Sequence, residues 1–326
     1  MEHVRGAVIE GRMKKLLNMF LCLAVIFLFT ACGQPNNLLD DDKPTIVCTG
    51  FAQYDWIKNI LGEKVQDWNL IRINDKGTDM HSYQPSAEDM ILISQCDLLV
   101  YTGGNSEHWI EEFVTAPGYE ATVYALLNEE NGILIEEDHH HEHDGHNHET
   151  EEFDEHIWLS PKRTVEFCME ITDLISSIDK SNSDVYEENS SAYIEKLKIL
   201  DEAYSDALGG KKENTVIFAD RFPFRYLAKD YNITWHAAFP GCSAETEASF
   251  ETITHLSEEL KESGVSRLFI TETGKRDLAD SIIAGSGISN IDVVAVNSMQ
   301  SIGKDERSTY IEIMEENLEK LQVDFK

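Results

Sequence analysis

The sequence predicts an α/β protein of two lobes, each with a parallel sheet, joined by long helices. Short β-rich runs alternate with amphipathic segments between Lys43 and Gly104, and again from Asn214 to the C-terminus. Such alternation is typical of parallel sheets covered by helices. A chain of 326 residues, 42% of them apolar, is long enough to bury two such cores. We expect a ligand cleft between the lobes, where the carboxyl ends of the strands converge.

Each predicted element follows from a local pattern. Pro85 and Ser86 mark a helix start, and Glu88 and Asp89 fall in its first turn, where carboxylates are favourable. In the first half, strands are predicted at 44–50, 68–73 and 97–104, and helices at 54–61 and 86–95. In the second half, strands are predicted at 214–220, 233–239, 266–272 and 291–297, and helices at 224–231, 250–263, from 275 onward and at 306–321.

Two helical stretches lie between the halves. The first, Ser160–Ile178, has apolar residues close to the helical period, with Ser160 as a candidate cap and Pro161 at the first position. The second covers Ser183–Leu208. The predicted organisation is a first lobe at 44–135, a loop at 136–155, a linking segment at 156–212 and a second lobe at 213–326.

The N-terminal residues are predicted to be an export signal and not part of the fold. Lys14 and Lys15 precede the apolar run Leu16–Phe29, which is about the length of a signal-peptide core and shorter than the ~20 residues of a membrane span. Ala31 before Cys32 is similar to a bacterial lipobox. We therefore expect residues 1–31 to be removed, with Met13 as the initiator, Cys32 to be lipidated and residues 32–43 to form a tether. An ordinary cleaved signal is the alternative.

Charge and cysteine content agree with an exported cation-binding protein. The formal net charge is −33, which repels nucleic acid and anionic membranes and attracts cations. Four cysteines remain after the signal, Cys48, Cys96, Cys168 and Cys242, without the CxxC spacing of a zinc knuckle. Disulfides and buried free thiols are equally compatible with them.

The loop at 136–155 concentrates imidazoles and carboxylates. It contains half of the twelve histidines of the chain, namely His139, His140, His141, His143, His146 and His148. The segment has no hydrophobic period, which predicts a solvated loop. Imidazole and carboxylate both bind divalent ions such as Zn²⁺, so we interpret the loop as a metal-collecting segment. A hydrophilic insertion without function is the alternative.

Two further histidines lie at ordered junctions. His156 stands between this loop and the helix start at Pro161, next to Ile157, Trp158 and Leu159, which predict a buried turn. His81 follows a strand and precedes the helix start at Pro85. Such strand–loop–helix junctions are where α/β folds bind ligands. A core histidine at 156 and an exposed one at 81 are the alternatives.

At these residues the chain resembles the metal-binding lipoproteins of zinc and manganese ABC importers. The similarity covers about Thr45 to the C-terminus and is carried by HSYQPSAED around His81, TGGNSEHW at 102–109, and the acidic histidine loop that runs into DEHIWLSP around His156. The resemblance implies two Rossmann-like lobes joined by a rigid helix, and His81 and His156 as the first two metal ligands. The histidine-rich loop is typical of the zinc branch.

The sequence departs from the family pattern at the other two ligands. Where the third ligand, His or Glu, is expected after the first strand of the second lobe, the chain has Ala219, Asp220 and Arg221, and of these only Asp220 can bind a cation. The usual fourth acid is replaced by Asn297, a weaker donor, and Glu272 ends a neighbouring strand. We expect His81, His156, Asp220 and Glu272 to bind the metal, with Asn297 or water as the alternative fourth ligand. A helix N-cap is the alternative role of Asp220, and Arg221 is expected to pair with a carboxylate, for example within 241–249.

The resulting hypothesis is a monomeric, lipid-anchored extracytoplasmic receptor that binds Zn²⁺ and delivers it to an ABC importer permease. More oxygen ligands would favour Mn²⁺, so a manganese receptor is an alternative. A metal-buffering or adhesive surface protein on the same fold is another. A secreted metallohydrolase is disfavoured, because the chain lacks HExxH and GxSxG.

Overall fold

The structure is a computed structural model that describes residues 39–40, 42–128, 130–132, 153–211, 214–239, 241 and 248–325. The predicted signal peptide, Cys32 and the six clustered histidines lie outside these residues. Within the described part of the chain, no helix combines the length and the apolar composition that a membrane span requires.

The first lobe is built on a four-stranded parallel sheet of strand order β2-β1-β3-β4. Its elements are β1 (Thr45–Cys48), α1 (Phe51–Leu61), β2 (Asn69–Arg72), α2 (Ala87–Ser94), β3 (Leu98–Tyr101), α3 (His108–Val114) and β4 (Thr122–Ala125). Every residue of β1 and β3 is buried, as expected for central parallel strands covered on both faces. Short 3₁₀ turns at Met80–Ser82 and Asn105–Glu107 follow β2 and β3 on the side where the strands end.

The second lobe repeats this plan with strand order β6-β5-β7-β8, again parallel. Its elements are β5 (Thr215–Arg221), α6 (Arg225–Asp230), β6 (Thr234–Phe239), α7 (Phe250–Ser263), β7 (Arg267–Thr271), α8 (Arg276–Ser286), β8 (Asp292–Val296) and α9 (Tyr310–Leu321). The two parallel sheets and their helices confirm the predicted α/β fold class.

Helices α4 (Pro161–Ile178) and α5 (Ser183–Leu208) connect the lobes. At 1.5 Å per residue the second is about 39 Å long, and it contacts both lobes. Asn189 donates to the Ile60 carbonyl at the end of α1 (3.1 Å), and the Tyr204 hydroxyl donates to the Met314 carbonyl in α9 (2.7 Å). The connection is therefore a helix that is packed on both lobes.

Several predicted boundaries differ from those observed, for local reasons. The last helix begins at Tyr310 and not at 306, because Thr309 and Glu312 form a capping box. Pro161 opens α4 as predicted, but Ser160 does not cap it, since its hydroxyl donates to Asp230 (2.6 Å).

The described cysteines are buried free thiols. Cys48, Cys96 and Cys168 all lie in the protein interior without a disulfide, and burial raises the pKa of Cys96 to about 11. For these three, the free-thiol alternative is the correct one. Cys242 lies outside the described residues.

Candidate functional site

His81 and His156 are held by short turns at the junction of the lobes. His81 lies in the 3₁₀ turn after β2, where the Asp79 carboxylate accepts the His81 backbone N–H (2.9 Å). His156 is fully buried just before the 3₁₀ turn Ile157–Leu159, whose three apolar residues are also buried. Both imidazoles therefore project from ordered backbone.

The two imidazoles face each other across a short gap. Their Nε2 atoms lie 3.1 Å apart although the residues are 75 positions apart in sequence. Two nitrogens that bind one tetrahedral zinc ion at ~2.0–2.1 Å are separated by about 3.3 Å. The observed separation thus matches that of two ligands of one cation.

Each imidazole has a carboxylate behind it. The Nδ1 atom of His156 lies 2.9 Å from Oδ1 of the fully buried Asp154, and Nδ1 of His81 lies 3.4 Å from Oε2 of Glu155. A carboxylate accepts hydrogen bonds, so these contacts favour the tautomer with the proton on Nδ1, in which the Nε2 lone pair is available to a cation. The Ser106 hydroxyl also contacts Nδ1 of His81 (2.7 Å).

The two carboxylates are themselves anchored. Arg225 lies 3.5 Å from Asp154 Oδ2, and the Ser106 backbone N–H donates to Glu155 Oε1 (2.7 Å). Burial alone raises the pKa of Glu155, but hydrogen bonds from His81 and Ser106 outweigh it and hold this pKa below its usual value. Glu155 is therefore a charged partner that stabilises the His81 ring orientation.

Gln300 contributes a side chain that the sequence analysis missed. Its amide nitrogen contacts Nε2 of His156, on the face that would bind a cation. Rotation of the amide exchanges its nitrogen for its oxygen, so Gln300 can offer an oxygen ligand there. The only hint of this residue in the sequence is a polar side chain in the loop after β8, three positions beyond Asn297.

Asp220 and Arg221 lie at the end of β5. Asp220 Oδ2 accepts hydrogen bonds from the backbone N–H (3.1 Å) and the hydroxyl of Thr271, so the helix N-cap alternative is wrong. Arg221 pairs with Asp79 of the first lobe (3.8 Å), which supplies the expected carboxylate from a different segment. Asp220, Arg221 and Gln300 line the same cavity.

Glu272 and Asn297 support the loop that carries Gln300. Glu272 accepts hydrogen bonds from the backbone N–H and the hydroxyl of Ser298, both at 2.8 Å. Asn297 accepts from the backbone N–H of Met299 (2.8 Å), a residue with φ of 60° that needs such support. The side chains of Glu272 and Asn297 both therefore accept hydrogen bonds from this turn.

Comparison with known proteins gives a consistent family. Residues 46–323 match the family model described as zinc-uptake complex component A, periplasmic (ZnuA). The zinc-binding lipoprotein AdcA of Streptococcus pneumoniae is 31% identical over 318 residues, which cover 95% of this chain and 61% of that protein. The high-affinity zinc uptake system protein ZnuA of Bacillus subtilis is 28% identical over 320 residues, 95% of this chain and 97% of that protein.

Solved structures extend the comparison. The Zn(II)-bound ZnuA-like domain of S. pneumoniae AdcA superposes with a TM-score of 0.69 at 27% identity, over 86% of this chain and 98% of that chain. The metal-dependent lipoprotein YcdH of B. subtilis gives a TM-score of 0.69 at 26% identity, over 87% of this chain and 100% of that chain. The present chain spans about three-fifths of the pneumococcal AdcA protein.

Proposed function

The chain belongs to the family of the periplasmic zinc-uptake complex component A, and from this premise we propose that it is an extracytoplasmic receptor that binds Zn²⁺ and delivers it to an ABC importer. The observation that carries the proposal is the 3.1 Å separation of the Nε2 atoms of His81 and His156. Zinc is the cargo, and the proposal contains no catalytic step.

We assign His81 and His156 as the two nitrogen ligands of the ion. Gln300 is the proposed third ligand, through its amide oxygen, because its side chain already contacts His156. Asp220 lines the same cavity as Gln300 and is the candidate for a carboxylate ligand, with water as its alternative. Glu272 would act by holding the turn that carries Gln300.

The donor set favours zinc over manganese. Two imidazoles with one or two oxygens suit a borderline ion such as Zn²⁺ at ~2.0–2.2 Å, whereas Mn²⁺ prefers sites dominated by oxygen. Both compared relatives are named for zinc. Manganese becomes the cargo only if additional carboxylates join the shell.

Cys32 is the proposed lipid attachment point, and a relative is named a lipoprotein. The partner is the permease of a zinc uptake system, as the family description implies. The receptor is proposed to act as a monomer, with its acidic surface and the histidines of 136–155 raising the local concentration of zinc.

Zinc affinity of the mature chain tests the cleft site. The histidine-rich loop binds zinc as well, so its six histidines are first replaced by serine, which gives the serine-loop background. In that background we expect His81→Ala and His156→Ala each to weaken zinc binding at least about 100-fold in chelator competition. The control is His108→Ala, an exposed histidine on α3 beside two carboxylates. Unchanged tight binding in both site variants would refute the site.

A further inference from the structure

A second group of side chains that could hold a metal ion lies on the second lobe. It consists of His236 on β6 and His255 and Glu259 on α7, which we call the β6–α7 cluster. One ligand atom from each of the three residues lies within 4.8 Å of the others. All three come from one lobe, so their arrangement does not require the His81–His156 pair.

The geometry of the cluster centres on the Glu259 carboxylate. Its Oε2 lies 3.3 Å from Nε2 of His236, and its Oε1 lies 3.9 Å from Nδ1 of His255. His255 and Glu259 are four residues apart, which places both on one face of α7. His236 lies on the edge strand of the sheet, on the same face as Ala238, which packs with Leu256 and Leu260 of α7.

The chemistry of the cluster suits a divalent transition metal. Two imidazoles and a carboxylate are a common zinc donor set, which leaves a fourth position for water. In a tetrahedral zinc site the donor atoms are about 3.3 Å apart. The His255 ring, 3.9 Å from Glu259, must therefore rotate towards the carboxylate to bind the same ion. The His255 side chain is 58% exposed, which permits that rotation.

A simple ion pair does not account for the whole cluster. His255 and Glu259 alone would stabilise α7 slightly, as i,i+4 pairs do. The exposed His108 makes similar contacts with Glu111 (3.3 Å) and Glu112 (3.8 Å) on α3. What distinguishes the β6–α7 cluster is the second imidazole, which comes from a different element and lies partly buried against the same carboxylate.

We propose that the β6–α7 cluster is a second, independent Zn²⁺ site, formed by His236, His255 and Glu259 with a solvent ligand. The ion enters from the surface, because His255 and the outer face of α7 are exposed. Its binding does not depend on the cleft, so the site persists whether or not the proposed receptor function is correct.

The test uses zinc itself and the mature chain in the serine-loop background. Imidazole ¹⁵N resonances are assigned with His236→Ala, His255→Ala and His108→Ala, and zinc is then added beyond one equivalent. We expect the His236 and His255 resonances to shift together with one apparent affinity. Glu259→Gln should weaken that affinity at least about tenfold. The His108 resonance should respond only at much higher zinc concentrations.

Two outcomes would overturn the site. One is a response of His236 and His255 at the same zinc concentration as His108. The other is an unchanged affinity in Glu259→Gln, which would show that the carboxylate does not bind the ion. Thermal unfolding of the metal-free Glu259→Gln variant shows whether the substitution disturbs the fold. Zinc-dependent anomalous scattering at the cluster, measured in crystals of the unsubstituted chain, tests the site without any substitution.

Discussion

The buried carboxylate behind His156 provides a quantitative test of the cleft geometry. We consider Asp154→Asn, an isosteric change that removes a negative charge 2.9 Å from Nδ1 of His156. Asn can rotate its amide to keep one hydrogen bond, but it no longer forces the proton onto Nδ1 or raises the basicity of Nε2. The His156 ligand is thereby weakened without being removed.

The expected loss follows from the role of such partners. Removal of a carboxylate that orients a metal-binding imidazole costs about 10- to 100-fold in affinity, or about 1.4–2.7 kcal/mol. Because Asp154 is fully buried, solvent does not compensate for the lost contact, and we expect the upper half of this range. Loss of the Arg225 contact (3.5 Å) should also reduce folding stability by about 1–3 kcal/mol.

The assay is zinc affinity by chelator competition in the serine-loop background, with urea denaturation to measure stability. The matched control is Asp230→Asn, which removes a charge from a close pair with Arg163 (2.8 Å) but touches neither cleft histidine. We expect both variants to lose stability and only Asp154→Asn to lose affinity. Equal zinc affinities in the two variants would refute the assigned role of Asp154.

Three further outcomes follow from single contacts. Gln300→Ala should weaken zinc binding at least about tenfold, whereas Gln300→Glu should retain it. The control is Gln322→Ala, at an exposed glutamine. Unchanged zinc affinity in Gln300→Ala would exclude the Gln300 amide as a ligand. Burial raises the pKa of the Glu107 carboxyl to about 7, so the metal-free native state binds the carboxyl proton more tightly than the unfolded chain does. The resulting contribution to folding stability is on the order of 3 kcal/mol. It is complete below about pH 4.5 and is lost as the pH rises through 7. Glu107→Gln should therefore flatten urea-denaturation stability between these values, and an unaltered pH profile would contradict the shift. Arg221→Ala should cost less than about 1 kcal/mol in the same assay, because its pair with Asp79 is partly exposed; a loss of several kcal/mol would show a larger structural role.

The sequence was sufficient for the fold class, and the assignment of the two histidines as metal ligands stays a prediction. Strand–helix alternation predicted both parallel sheets, because local periodicity directly reflects which face of each element is buried. The junctions around His81 and His156 were recognisable because loops after parallel strands converge at one edge. Their 3.1 Å approach depends on tertiary packing across 75 residues, which no local pattern reports.

The contacts that the other predicted ligands make could not be read from the sequence, for a physical reason. Asp220 and Glu272 lie at strand ends, as expected. The end of a strand determines the position of the backbone, but it does not determine which group the side chain contacts. Asp220 bonds to Thr271, and Glu272 bonds to Ser298. The side chain that does reach His156 belongs to Gln300, in an irregular turn whose shape depends on those bonds.

Two contacts near the imidazole pair connect the second lobe to the segments that carry His81 and His156. Arg221 brings a positive charge to the end of β5, and its guanidinium is paired with Asp79, whose other oxygen accepts the backbone N–H of His81. The Arg221 guanidinium thus stabilises the carboxylate that holds the turn of His81. Trp158, two residues after His156, donates to the Ser298 carbonyl (3.0 Å), so the turn that carries Gln300 is fixed to the segment that carries His156. Two separate contacts therefore join the second lobe to the segments that carry the two imidazoles.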